Sequence, residues 1–202
     1  MKKPVLIISA LVLALAGLCT WYFLENYKRV SHERTLPMQG EARYNPLYAL
    51  KLSLRELGQL AETHARLDLG SLKLEVNDTL VLYSPPNGLT SAELEQLLAW
   101  IEKGGHLILR TPSPDFLSDK DTLYTKLGIS PSTEEDECLD YLPVLGNKAE
   151  TLCGNRFYTE DTDWFSWLHG DEEQGYSLGR MYWGDGSITI ASNLYFMSNK
   201  QL

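Results

Sequence analysis

The chemistry-bearing residues of this chain are few and scattered. Its three cysteines are Cys19, Cys138 and Cys153, with no C-x-x-C pair, so zinc-finger and thioredoxin-type readings fail at the outset. A catalytic thiolate of an α/β enzyme needs a sharp turn just after a strand, where it can face a helix amino terminus. The best strand end of that kind is His106–Leu109 followed by Arg110, Thr111, Pro112 and Ser113, and it holds no cysteine. Thr111 and Ser113 offer hydroxyls there, but G-x-S-x-G is absent and no base is tied to them, so helix-capping roles are the expectation. Arg110 is the basic side chain of that lip. An anionic group could dock against it and the amino terminus of the helix beginning near Thr90, with a salt bridge to Asp115 as the internal alternative. Ser84 closes the neighbouring strand, and Asn45 and Tyr48 are expected to border the same crevice, Asn45 first of all as a helix cap.

The four histidines, His32, His64, His106 and His169, fall in no ligand pattern, and Cys138, Cys153 and His169 are too widely spaced for a metal motif. Asp161, Asp163, Asp171, Glu172 and Glu173 lack the glycine-containing loop of a calcium site and read as a solvated acidic stretch. No metal and no cofactor are expected. The charge balance is acidic, 27 Asp and Glu against 18 Lys and Arg, which leaves no basic stripe for nucleic acid.

The elements that must position these residues centre on 78–111. Thr79 to Tyr83 reads as a strand, Ser84 to Gly88 as a turn, and Thr90 or Ser91 as a cap. Leu94, Leu97, Leu98 and Ile101 recur at helical spacing before Lys103-Gly104-Gly105. A second strand, His106 to Leu109, completes a βαβ unit. Upstream, Asn45-Pro46 starts a helix that ends at Gly58, preceded by a possible strand at 35–38 and followed by one at Ala61–Leu67. Asp121 to Leu127 reads as a short helix. Near the end, Ser177–Tyr182 and Ser187–Ala191 flank Trp183-Gly184-Asp185-Gly186, a hairpin signal. The expected fold is therefore α/β, a three-layer, flavodoxin-like domain over 35–202 with a mainly parallel sheet.

Two segments stand apart. Residues 130–174 are acidic and irregular, but Phe157, Tyr158, Trp164, Phe165 and Trp167 argue against disorder, so an insertion packed over a sheet edge or the crevice is expected. Trp164 and Trp167 are its natural partner-binding anchors. Cys138 and Cys153, both in this region, are compatible with a disulfide or with two free thiols. After the tail 1–3, Pro4 to Leu24 carries no charge and is long enough for a transmembrane helix of about 20 residues, joined by a linker at 25–34. A cleaved signal peptide at Ala14-Leu15-Ala16 and a lipoprotein at Cys19 are the competing readings.

Asn45-Pro46-Leu47-Tyr48-Ala49, Glu56-Leu57-Gly58, the strand from Asp78 to Pro85 and above all Leu98-Ala99-Trp100-Ile101-Glu102-Lys103-Gly104-Gly105-His106-Leu107 resemble the bacterial domain-of-unknown-function family 4350. That resemblance implies a fold similar to the class I glutamine amidotransferases and a genetic setting beside MoxR-type ATPases. It also implies that this chain stops short of the family's usual length, where a second membrane helix often follows. With the amidotransferase cysteine missing, the expectation is a non-catalytic domain on the extracytoplasmic side of the bacterial inner membrane. It would bind a protein partner, for which the resemblance points to MoxR-system components, or a small ligand. The alternative is a hydrolase or transferase working at the strand-end crevice.

Overall fold

The computed structural model describes residues 3–27, 39–84, 86, 89–112, 122–132, 139–140, 151–152 and 154–199. Two units are distinguished, Met1–Gln39 and Gly40–Leu202.

In the first unit, helix α1 runs Lys3–Asn26. The expected transmembrane helix is not sustained: among the described residues no helix is long and apolar enough to cross a membrane.

The second unit is built on a mixed sheet. Its strands are β1 (Thr79–Leu82), β2 (His106–Arg110), β3 (Ile129–Pro131), β6 (Phe157–Thr159), β7 (Phe165–Asp171), β8 (Gly175–Trp183) and β9 (Gly186–Ala191), in the order β1-β2-β9-β8-β6-β3 with β7 also on β8. Strands β4 (Leu139–Asp140) and β5 (Thr151–Leu152) form a separate pair. The expected mainly parallel sheet is corrected: only β1-β2 and β2-β9 are parallel, while β9-β8, β8-β7, β8-β6 and β6-β3 are antiparallel. The reason is that much of the presumed insertion pairs into the sheet. Strands β3, β6 and β7 all arise from 129–171, and β8 is the template for two of them.

The βαβ unit forms as its sequence dictates. Helix α3 (Ser91–Glu102) is capped by Thr90, whose hydroxyl accepts from the Glu93 N–H while the Glu93 carboxylate accepts from the Thr90 N–H at 2.8 Å, a reciprocal capping box. Leu94, Leu97, Leu98 and Ile101 are buried, and burying four such side chains contributes on the order of 6–12 kcal/mol before entropy is subtracted. Gly104 ends the helix at φ 118°, and Trp100 lies flat over Gly105, where a Cβ would meet the indole at 2.3 Å. Alternation on β2 turns Leu107 and Leu109 toward α3 and α4 (Thr122–Lys126), together with Ile188, Ile190 and Met181. The other face meets Leu194, Phe196 and Met197, which pack with Val81, Ile108, Leu178 and Ala191.

Helix α2 (Tyr48–Glu56) begins two residues after the first position expected at Pro46, with Leu47 rather than Asn45 at its N-cap and no side-chain cap bond, and Gly58 follows it at φ 79°. The strand expected at Ala61–Leu67 does not form: the segment pairs with no strand and bends at 65–66, and two of its groups bond to side chains, Arg55 Nε donating to the Ala61 carbonyl and Asn45 Nδ2 to the Thr63 hydroxyl. The strand expected at 35–38 lies outside the described residues. Asn199 fastens the C-terminal segment back onto 42–49, donating to the carbonyls of Asn45 and Ala42 and accepting from the Ala49 N–H.

Candidate functional site

The strand-end crevice does not assemble as the sequence suggested. Thr111 is only 1% exposed, and both its N–H and its hydroxyl donate to the Ala191 carbonyl, at 2.8 and 3.1 Å, so its oxygen serves to join β2 to β9. Arg110 ends β2 half-buried, its carbonyl accepting from the Tyr124 hydroxyl and its Nε buried without a hydrogen-bond partner. Ser84 is exposed beyond β1. Asn45, 3% exposed, spends its side chain on Glu41, Thr63 and the Leu47 N–H. Tyr48 sits under the Lys51 ammonium, 5.8 Å from its ring centre, and Lys51 is paired with Glu41. Asn45 and Tyr48 therefore belong to a local tie around Glu41. The hydrogen bond from Lys51, then that from Asn45, holds the half-buried Glu41 carboxyl below the ordinary value. The amino terminus of α3, expected to attract an anion, already has one: the Glu93 carboxylate occupies it, and the Thr90 N–H and then the Thr90 hydroxyl lower its pKa.

Ser113, Asp115, Cys138, Cys153 and His32 lie outside the described residues. Among those described, no group of three or more His, Cys, Asp or Glu is placed to hold a metal. The acidic stretch around Asp171 is a hairpin turn, the Asp171 carboxylate accepting from the N–H groups of Glu173 and Gln174. Asp161 likewise caps the short 3-10 turn Thr162–Trp164. His64 faces Glu62 at the surface, and His106 Nδ1 lies 2.9 Å from the Ser187 hydroxyl.

The two tryptophans expected as anchors are both exposed, Trp164 by 52% and Trp167 by 44%, but they do not act together. Trp167 is paired with Arg180 on the sheet face away from α3. Trp164, delivered by its 3-10 turn, lines a groove of about 540 Å³ with Tyr182, Trp183 and Gly184 on one side and Glu95, Leu98, Ala99 and Glu102 on the other. The helix residues sit at i, i+3, i+4 and i+7, one stripe of α3. An apolar floor, Leu98 and Ala99, is thus flanked by two exposed carboxylates about 10 Å apart at 1.5 Å rise per residue. Neither carboxylate has an ion pair among the described residues. The groove wall is held by the β8–β9 turn, where Gly184 (φ 61°) comes so close to α3 that a Cβ would stand 2.6 Å from the Glu102 carbonyl. Sequence reasoning missed Glu95, Glu102 and Trp183 as site residues. The stripe was visible, but nothing local ties it to a tryptophan some 60 positions on.

Comparison with known proteins now bears on the whole unit. A family model described as "Domain of unknown function (DUF4350)" matches residues 39–202. The chain belongs to this family. The search of curated proteins returned no match. Among solved structures, the "mmIFT52 N-terminal domain" is similar with a TM-score of 0.51 and 14% identity, covering 77% of this chain and 82% of that one. The exo-beta-1,4-mannosidase Op5Man5 from Opitutaceae bacterium strain TAV5 is similar at 14% identity and a TM-score of 0.39, covering 57% of this chain. The chain spans only 20% of that mannosidase. At such identities the likeness of the DUF4350 domain to mmIFT52 concerns fold alone, and the mannosidase likeness carries no argument.

Proposed function

We propose that this DUF4350 domain is a non-catalytic binding module whose groove between α3 and the Trp164–Trp183 wall receives a segment of a protein partner. One observation carries the reading: a half-exposed tryptophan beside a second one faces an apolar floor set between two carboxylates with no internal cation. Aromatic side chains in a partly buried setting are typical interface anchors, and carboxylates at the rim select by charge. The occupant that complements this surface is a segment with an apolar centre and basic residues about 10 Å apart, two turns of helix or three residues of extended chain. The MoxR-type ATPase setting implied by the family resemblance is where such a partner is sought first. The amidotransferase-like character implied by the same resemblance is kept for the parallel half, β1-α3-β2-β9. Binding is preferred to hydrolysis because the hydroxyl that follows β2, Thr111, is buried and donates to the Ala191 carbonyl.

The test is capture after mild crosslinking in native cells, comparing wild type with Trp164→Ala and, separately, Trp167→Ala. A specific partner lost with the first and retained with the second supports the groove. Retention with Trp164→Ala contradicts it.

A further inference from the structure

We propose a second, independent site: an oxyanion site on the sheet face away from α3, formed by Arg180 and His106 around the buried hydroxyl of Ser187. Arg180 on β8 is half-buried, and Nη2 donates to the Ser187 hydroxyl at 3.0 Å while Nε is buried with no hydrogen-bond partner. A guanidinium carries five N–H donors and a fixed positive charge, and burying part of it without a counter-charge is costly. Among the described residues the ion pairs are Lys51–Glu41 and His64–Glu62, and the one cation stacked on a ring is Lys51. Among these residues Arg180 therefore has neither a carboxylate nor an aromatic face as partner.

Among the described strand neighbours of Arg180 none is an acid. Strand register places Thr189, Trp167 and Ser187 beside it, with Tyr182, Ile108, Leu178 and Arg110 on the same face, none of them acidic. Arg110 also has a buried, unpartnered Nε. Ser187 is 3% exposed and sits 2.9 Å from His106 Nδ1. Its oxygen accepts from Arg180, and its contact with Nδ1 ties His106 to the same hydroxyl. Among the described residues no carboxylate meets this pair of nitrogen-bearing side chains. In an acidic chain such a cluster complements a carboxylate or a phosphate, which a guanidinium holds in a two-pronged geometry. Trp167, directly across from Arg180 and 44% exposed, flanks the cluster and supplies a surface for a flat apolar part of the ligand.

The experiment is an NMR titration of the full chain, following Arg180 Nε–H and the His106 imidazole. The probes are phenyl phosphate, benzoate, inorganic phosphate and acetate, against sodium chloride at matched ionic strength. The site predicts saturable shifts of both groups with at least one aromatic anion, and tighter binding of phenyl phosphate than benzoate assigns a phosphate ligand, the reverse a carboxylate. Arg180→Gln abolishes saturation, and Arg180→Lys, which keeps the charge and loses the fork, weakens binding about tenfold. Trp167→Ala removes the preference for aromatic over inorganic anions. No saturable response to any of the four anions, or an unchanged affinity in Arg180→Lys, overturns the proposal. The lysine variant carries the test where the glutamine variant does not fold.

Discussion

Gly186 is where α3 and the sheet are locked together, and Gly186→Ala probes that joint. A Cβ at this position would stand 2.0 Å from the Ile101 carbonyl oxygen and 2.3 Å from that of Gly105, against ordinary contacts of 3.4–4 Å. Both obstacles are backbone, so neither can swing aside as a side-chain tip can. Separating them by more than 1 Å strains two bonds, Gly104 N–H to the Ile101 carbonyl at 2.9 Å and Ser187 N–H to the Gly105 carbonyl at 3.2 Å. Overpacking of this kind costs about 1–3 kcal/mol, and two compromised hydrogen bonds add about 1 kcal/mol each, giving roughly 3–5 kcal/mol. For a domain of ordinary stability, about 5–15 kcal/mol, that is a large fraction of the total. Urea unfolding followed by tryptophan fluorescence measures it, with Gly70→Ala as control, since a Cβ there meets only the Asp68 carboxylate at 3.4 Å. The control is expected within about 0.5 kcal/mol of wild type. A Gly186→Ala variant as stable as the Gly70→Ala control would refute the close helix–strand approach.

Two further predictions follow from local chemistry. Glu93, whose pKa is lowered by the Thr90 N–H first and the Thr90 hydroxyl second, contributes stability that is present above its ordinary value of 4.5 and lost as pH falls through its depressed folded-state value. Carboxyl-carbon NMR is expected to show that depressed midpoint, moving only part of the way back in Thr90→Ala because the backbone donor remains. A midpoint at or above the ordinary value contradicts the capping box. Cys138 and Cys153 are the two cysteines of the acidic stretch, which their sequence setting makes compatible with a disulfide. The chain oxidised by a disulfide such as oxidised glutathione is expected to lose two hydrogens in mass and yield a linked Cys138–Cys153 peptide. Two separately alkylated peptides after that treatment would count against the pairing.

Legibility from sequence followed the range of the interactions. The β1-α3-β2 unit was readable because each of its signals is local: the Thr90-to-Glu93 box, the Leu94–Ile101 spacing and the Gly104-Gly105 stop. The β8–β9 hairpin was readable for the same reason, through its Asp-Gly turn. The antiparallel half was not, because β6 and β7 are written in an acidic stretch whose pairing is imposed by a distant template, β8. Ala61–Leu67 erred the other way, since partial alternation without a pairing partner does not make a strand. At the site, Trp164 is legible as one of the aromatics that argue against disorder in an acidic stretch and as a natural anchor, whereas Trp183 reads as a turn residue. The Glu95–Glu102 stripe took its meaning only when the topology brought it against both. Thr111 and Asn45 were read as crevice residues from their positions after a strand and before a helix, and the structure spends their polar atoms on backbone and neighbours instead.

The central claim is that the Trp164 groove is the domain's binding surface. The most direct measurement is the dissociation constant of the captured partner, purified, for wild type, Trp164→Ala and the charge reversal Glu95→Lys/Glu102→Lys. The account predicts a loss of about thirtyfold or more for Trp164→Ala, the scale of an interface hot spot, and a comparable loss that grows at low salt for the charge reversal. Wild-type affinity in both variants, with the fold intact, would contradict it.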